Sequence, residues 1–131
     1  MNRRKPTRIT NVELEFMNVL WSSGKATPED IQQSLSDNGK FLSGGSIRKI
    51  LMILMKKGYV DREKLGKGHI YYAIIGQEQT NKNIVHDLIN HAFGGSASLM
   101  VSTLLGSDEI SNDDLEKIEK LITQRKMEKK E

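Results

Sequence analysis

Residues 43–75 read S-G-G-S-I-R-K-I-L-M-I-L-M-K-K-G-Y-V-D-R-E-K-L-G-K-G-H-I-Y-Y-A-I-I, an amphipathic helix that stops at a glycine and runs directly into a hairpin. Ser43 is placed to cap the helix. Ile47, Ile50, Leu51 and Leu54 fall on one face, and Gly45, Arg48, Lys49, Met52 and Lys56 on the other. Gly58 stands where a left-handed residue closes a helix. Two strand patterns follow, 60–64 and 69–74, and Leu65-Gly66-Lys67-Gly68 supplies the turn. Helix, hairpin and recurrent cations in this order are the second half of a winged helix-turn-helix. In that unit one helix enters the DNA major groove and the hairpin rests on the backbone.

The preceding residues supply the other two helices of such a unit. Thr10 lies three residues before Glu13, the spacing of a capping box. Leu14, Met17, Leu20 and Trp21 then share a face, with Phe16 beside them, and Ser22, Ser23 and Gly24 end the helix. A second helix starts at Thr27 as cap, with Pro28 in the first helical position and Glu29 and Asp30 at the positive end of the dipole. Ile31 and Leu35 form its apolar stripe, and Asp37, Asn38 and Gly39 stop it. Residues 1–8 read as a frayed basic arm.

Beyond the hairpin a polar stretch from Gly76 to Lys82 marks a boundary. Three more helical patterns follow it. Ile84, Val85, Leu88, Ile89 and Phe93 make the first, which ends at Gly94-Gly95. The second spans about 97–105 and holds Leu99, Met100, Val101, Leu104 and Leu105. The third starts at Ser111, with Asp114 three residues on, and carries Leu115, Ile118, Leu121 and Ile122. Roughly fifty residues are too few to bury these stripes alone. The economical solution is a partner chain, with Leu99, Val101, Leu104, Leu115, Ile118 and Ile122 at the contact. Packing back onto the first domain is the alternative. The expected fold is therefore mainly α with a small β hairpin, an α+β chain. It has a winged helix-turn-helix over 1–76 and a three-helix dimerisation segment over 77–131.

Charge divides along the same line. The net charge of +3 is the sum of +6 over residues 1–76 and −3 over 77–131. A basic first half suits a phosphate-facing module, and an acidic second half suits another task. The chain has no cysteine, which excludes disulfides, thiolate metal sites and cysteine nucleophiles. No apolar run approaches a membrane span and the N-terminus lacks the core of a signal peptide, so the expectation is a cytoplasmic protein without membrane insertion. His69, His86 and His91 lack the spacing of a ligand pair on one helix face. No nucleophile–base pair, phosphate-cradling loop or paired catalytic carboxylates are recognisable. Neither metal, cofactor nor enzymatic activity is expected.

The binding candidates lie on the third helix and the hairpin. Arg48 can bond guanine or a phosphate, and Ser43, Gly45, Ser46, Lys49 and Lys56 are within reach of backbone or bases. Met52 is odd on an outward face. It fits contact with a thymine methyl or partial cover by the hairpin, and Ile53 fits the second better. Gly44 and Gly45 permit either close approach to a phosphate or a loose entry to the helix. Arg62, Lys64 and Lys67 place charge on the hairpin, where they would pair with phosphates.

These residues resemble a known family. I-T-N-V-E-L-E-F-M-N-V-L-W at residues 9–21 is similar to the opening helix of the penicillinase repressors, the BlaI/MecI/CopY group of bacterial transcriptional repressors. L-S-x-x-S-I-R at 42–48, L-x-K-K-G at 54–58 and I-Y-Y at 70–72 continue the likeness. F-G-G-S-A-S-L at 93–99 and D-E-I-S at 108–111 extend it. The resemblance implies a homodimeric repressor that binds a palindromic operator with TACA/TGTA-type half-sites. Its recognition helix would be 43–57 and its wing 60–74. Gly44-Gly45, Lys49 and Ile53 depart from the family's common residues, so the resemblance does not fix this chain's operator sequence. Relatives responsive to β-lactams are released by cleavage of an Asn-Phe bond, which corresponds here to Ser102-Thr103, so a membrane-bound sensor protease is an implied partner. The paired C-x-C motif of copper-responsive members is missing. A small-molecule-responsive winged-helix regulator and a winged-helix adaptor that does not bind DNA stand as alternatives.

Overall fold

A computed structural model of the chain describes residues 8–130. All but Arg8 of the basic arm expected at 1–8 lies outside them. The elements run α1 (Asn11–Ser23), β1 (Lys25–Ala26), α2 (Pro28–Asp37), α3 (Gly44–Lys57), β2 (Val60–Leu65), β3 (Gly68–Ala73), α4 (Gln77–Ala92), α5 (Ala97–Leu105) and α6 (Asn112–Lys129). Thr10, Thr27 and Ser111 form complete capping boxes with Glu13, Asp30 and Asp114. Ser43 and Ser96 accept from the backbone N–H groups of Ser46 and Leu99. Two orphan donors satisfied at each box make these starts unambiguous.

The chain divides into two compact units that meet within α4, between Val85 and His86. The first is a winged helix. Phe16, Met17 and Leu20 of α1, Ile31 and Leu35 of α2, and Ile47, Leu51 and Leu54 of α3 are buried together with Tyr59, Val60 and Tyr71. Each such side chain contributes about 1.5–3 kcal/mol by leaving water. Gly58 closes α3 at φ 86° in the left-handed region. β2 and β3 pair antiparallel from Val60↔Ala73 to Leu65↔Gly68, so the turn is Gly66-Lys67 alone. Gly66 has φ 59° and Lys67 has negative φ, the pattern of a glycine-first two-residue hairpin turn.

The strands thus take in Leu65 and Gly68, which were expected in the turn, and leave out Ile74. Three further details differ from expectation. β1 is a third strand, pairing Lys25↔Tyr72 and Ala26↔Tyr71, and the sheet order is β1-β3-β2. A two-residue strand has no periodicity to detect. Leu14 was expected on the inward stripe of α1 and is only half-buried, whereas Glu13 is buried. The helix turns this carboxylate inward because Lys57 meets it there, Nζ to Oε1 at 2.7 Å. The polar stretch Gly76 to Lys82 is helical from Gln77 onward. Its Gln, Glu, Asn and Lys residues mark an exposed helix surface, and these types are compatible with helix.

In the second unit α5 and α6 contain no buried residue. Among the described residues no single helix is long and apolar enough to cross a membrane.

Candidate nucleic-acid interface

α3 is anchored on three sides, which leaves its remaining face free. Ser43 Oγ accepts from Ser46 N at 3.1 Å and donates to or accepts from the Ser46 hydroxyl at 3.1 Å. The inward stripe of Ile47, Leu51 and Leu54 is fully buried, while Ile50 is half-buried. At the far end Lys57 bonds both Glu13 oxygens, at 2.7 and 3.0 Å, and the Arg8 carbonyl at 3.0 Å. Gly45, Ser46, Arg48, Lys49, Met52 and Lys56 are consequently all exposed, as the helical spacing requires. Ile53 is half-buried, in keeping with its place at the edge of the core stripe.

The hairpin has two chemically different faces. Cross-strand partners point to the same side of a sheet. The register Arg62↔Tyr71 and Lys64↔His69 therefore puts Arg62, Lys64 and His69 on one face together with Tyr71. Arg62 donates from Nη1 to the Tyr71 hydroxyl at 3.1 Å, with its guanidinium 6.0 Å from that ring. His69 is held below its ordinary pKa by partial desolvation, and then by repulsion from Arg62 and Lys64. On the opposite face Glu63 is neutralised by Lys25 of β1 at 2.8 Å, and Lys25 lies 5.5 Å from the Tyr72 ring centre. The hydrogen bond and charge of Glu63 raise the Lys25 pKa. Lys64 and the turn residue Lys67 stay exposed and, among the described residues, make no ion pair.

Between α3 and this cationic face lies a cleft of about 670 Å³. Arg48 and Met52 form one wall, and Arg62, Lys67, His69 and Tyr71 the other. Thr27, Pro28 and Glu29 from the start of α2 close one side. The geometry suits a polyanionic ridge with an apolar spot at Met52, which is 52% exposed. Of the ten expected contact residues, Arg48, Met52, Arg62 and Lys67 come together here. Ser43, Gly45, Ser46, Lys49, Lys56 and Lys64 line the flanking exposed surface.

Sequence reading missed Glu29 and His69 as parts of this site. Glu29 Oε2 accepts from Arg48 Nη2 at 3.0 Å, across a separation of nineteen residues. No local pattern announces such a pair. His69 was weighed only as a metal ligand, yet its alternation with Tyr71 on one strand face was available to read.

In the second unit Leu99, Leu104, Leu115 and Ile122 are exposed, and Val101 and Ile118 are half-buried. Ser102 and Thr103 sit inside α5, where the Thr103 hydroxyl donates to the Leu99 carbonyl at 2.9 Å. His86 lies 3.0 Å from the Asn90 amide, and His91 Nδ1 is 2.9 Å from the Asp87 carbonyl.

A family model described as penicillinase repressor matches residues 9–124. The methicillin resistance regulatory protein MecI of Staphylococcus aureus is 26% identical over 121 residues, covering 92% of this chain and 98% of its own length. The penicillinase repressor of Bacillus licheniformis is 26% identical over 128 residues, covering 98% and 99%. Among solved structures, the DNA-binding domain of the repressor BlaI superimposes with a TM-score of 0.50 at 28% identity. That match covers 57% of this chain and 90% of that domain.

Proposed function

This chain belongs to the penicillinase repressor family, and from that premise we propose that it represses transcription by occupying a palindromic DNA operator as a homodimer. The observation that carries the proposal is the cleft. It brings the outward face of α3 and the cationic face of the hairpin to one side of a three-helix unit with a common buried core. α3 enters the major groove, with Arg48 at base edges and Met52 against thymine methyls. Lys64 and Lys67 meet phosphates on the adjoining backbone.

The winged helix (residues 1–76) is the DNA-binding domain, and residues 77–131 pair two copies. α5 and α6 support the second role, because neither helix buries a side chain within its own chain. Large apolar side chains remain half in water, Leu99 at 51% and Ile122 at 47% among them. A two-fold arrangement of readers matches a two-fold operator. The releasing signal acts on the second unit, and proteolysis near Ser102-Thr103 by a membrane-bound sensor protease is the route that the family suggests.

The test is selection from random duplexes with the full chain, followed by titration at several salt concentrations. The expected result is an enriched inverted repeat whose affinity falls steeply with salt. Failure to enrich any repeat, together with salt-insensitive binding, would overturn the proposal.

A further inference from the structure

Arg48 occupies an unusual position for a cation on a DNA-facing helix. Its guanidinium folds back along α3, so that a Cβ added to Gly44 would lie 3.1 Å from Nη1. It ends against Glu29 in the first turn of α2, Nη2 to Oε2 at 3.0 Å. Gly44 and Glu29 together accommodate this conformation of Arg48, the glycine by leaving the space and the carboxylate by accepting from one donor. Both partners of the ion pair are largely in water, with side chains 58% and 69% exposed. A pair of that kind adds little to folding stability. Its placement on the wall of the cleft asks for another explanation.

We propose that Glu29 is a specificity-determining positioning residue, which turns Arg48 from a general phosphate binder into a reader of guanine. This rests on the DNA-binding reading above. A guanidinium has five N–H donors in a planar fork, and Glu29 takes one of them. The free edge can still bond guanine N7 and O6, which are neutral acceptors. A phosphate at the same edge would sit beside the Glu29 carboxylate, and like charges repel at that range. The neutralised pair also releases no counterion on non-specific DNA. Arg48 thus contributes where a guanine is presented and not elsewhere. Gly44 leaves room for the fork to fold back, and the Glu29 contact favours that rotamer before DNA arrives, so less freedom is lost at binding.

The experiment compares full-length wild type, Glu29→Gln, Arg48→Ala and the double variant. Each is titrated on the duplex enriched by selection and on a scrambled duplex over a range of salt. Glu29→Gln should tighten scrambled-duplex binding about 5–10-fold at low salt and steepen its salt slope by about one unit. Operator affinity should stay within about 2-fold, so that the ratio of the two falls about 5–10-fold. In the Arg48→Ala background the same substitution should leave that ratio unchanged, because the cycle isolates the pair. An unchanged ratio in the single variant would overturn the proposal. So would a fall in the ratio that persists without Arg48, since Glu29 would then act through the general field. A wild-type chain with no preference for any duplex would overturn the DNA-binding reading, and this proposal with it.

Discussion

Lys57 in the last turn of α3 reaches Glu13 in the first turn of α1, with Nζ 2.7 Å from Oε1 and 3.0 Å from Oε2. The pair is largely withdrawn from water, with side chains 18% and 8% exposed. Glu13 at the same time accepts from the Thr10 backbone N–H at 2.9 Å, so one carboxylate caps α1 and ties α3 to it. Lys57→Ala leaves that carboxylate buried with its charge uncompensated. It should lower the unfolding free energy by about 2–3 kcal/mol, somewhat under the cost of breaking a fully buried pair. Urea denaturation of the full chain measures it, and a loss under about 0.5 kcal/mol, the range of ordinary surface changes, would contradict the assignment.

Arg48→Ala should cost about 1–3 kcal/mol of operator binding. The variant should remain folded, since Arg48 is exposed and its ion pair lies in water. Fluorescence anisotropy on a labelled operator duplex reads the loss. Equal affinity in the variant and the parent would remove Arg48 from the interface.

Lys64→Ala and Lys67→Ala address the hairpin. Both residues are exposed beside the Gly66-Lys67 turn. Each substitution should weaken specific and scrambled duplexes alike and reduce the salt slope by about one unit. A change in sequence preference at constant salt slope would instead put the hairpin in a groove.

Leu115→Glu combined with Ile122→Glu tests assembly. The two positions are 39% and 47% exposed in the single chain, so the charges meet water unless a second copy covers them. Sedimentation equilibrium of the full chain should change from dimer to monomer at micromolar concentration. The interface should lose at least about 2 kcal/mol to the desolvation of each charge. A wild-type chain that sediments as a monomer would end the dimer assignment.

His69 gives a pH dependence of definite sign. Partial desolvation and the charges of Arg62 and Lys64 hold its pKa below the ordinary value of 6.5. Between the folded and the ordinary value the unfolded chain binds more protons at this position. The contribution of His69 to stability is therefore present above about pH 6.5 and is lost as pH falls through the folded value. His69→Gln should flatten that part of the stability profile while leaving the neutral-pH value nearly unchanged. A profile identical in the two proteins would show that the ring does not couple to folding.

Much of this architecture was written in local signals. Thr10, Thr27, Ser43 and Ser111 each announce a helix start through their own backbone chemistry, and Gly58 announces an end. The outward face of α3 followed from spacing alone, because a helix has one phase once its core stripe is known. What escaped was pairwise and distant. Glu13 was legible as a capping-box residue, and its burial was not until Lys57, forty-four residues later, was placed beside it. Glu29 looked like a dipole-stabilising residue until α3 brought Arg48 to it. β1 escaped because two residues hold too little pattern, and its existence depends on β3 being ready to receive it.

The sheet order β1-β3-β2 leaves β2 with one unpaired edge among the described strands. Open edges invite strands from other molecules, and short charged edges discourage them. Along this edge Asp61, Arg62, Glu63 and Lys64 stand in succession. Another copy laid against it in parallel register would bring like charges together at each of these positions, and its backbone bonds would form at that cost. The β2 edge is thereby guarded against the parallel, in-register stacking of fibres, in which every residue meets its own copy.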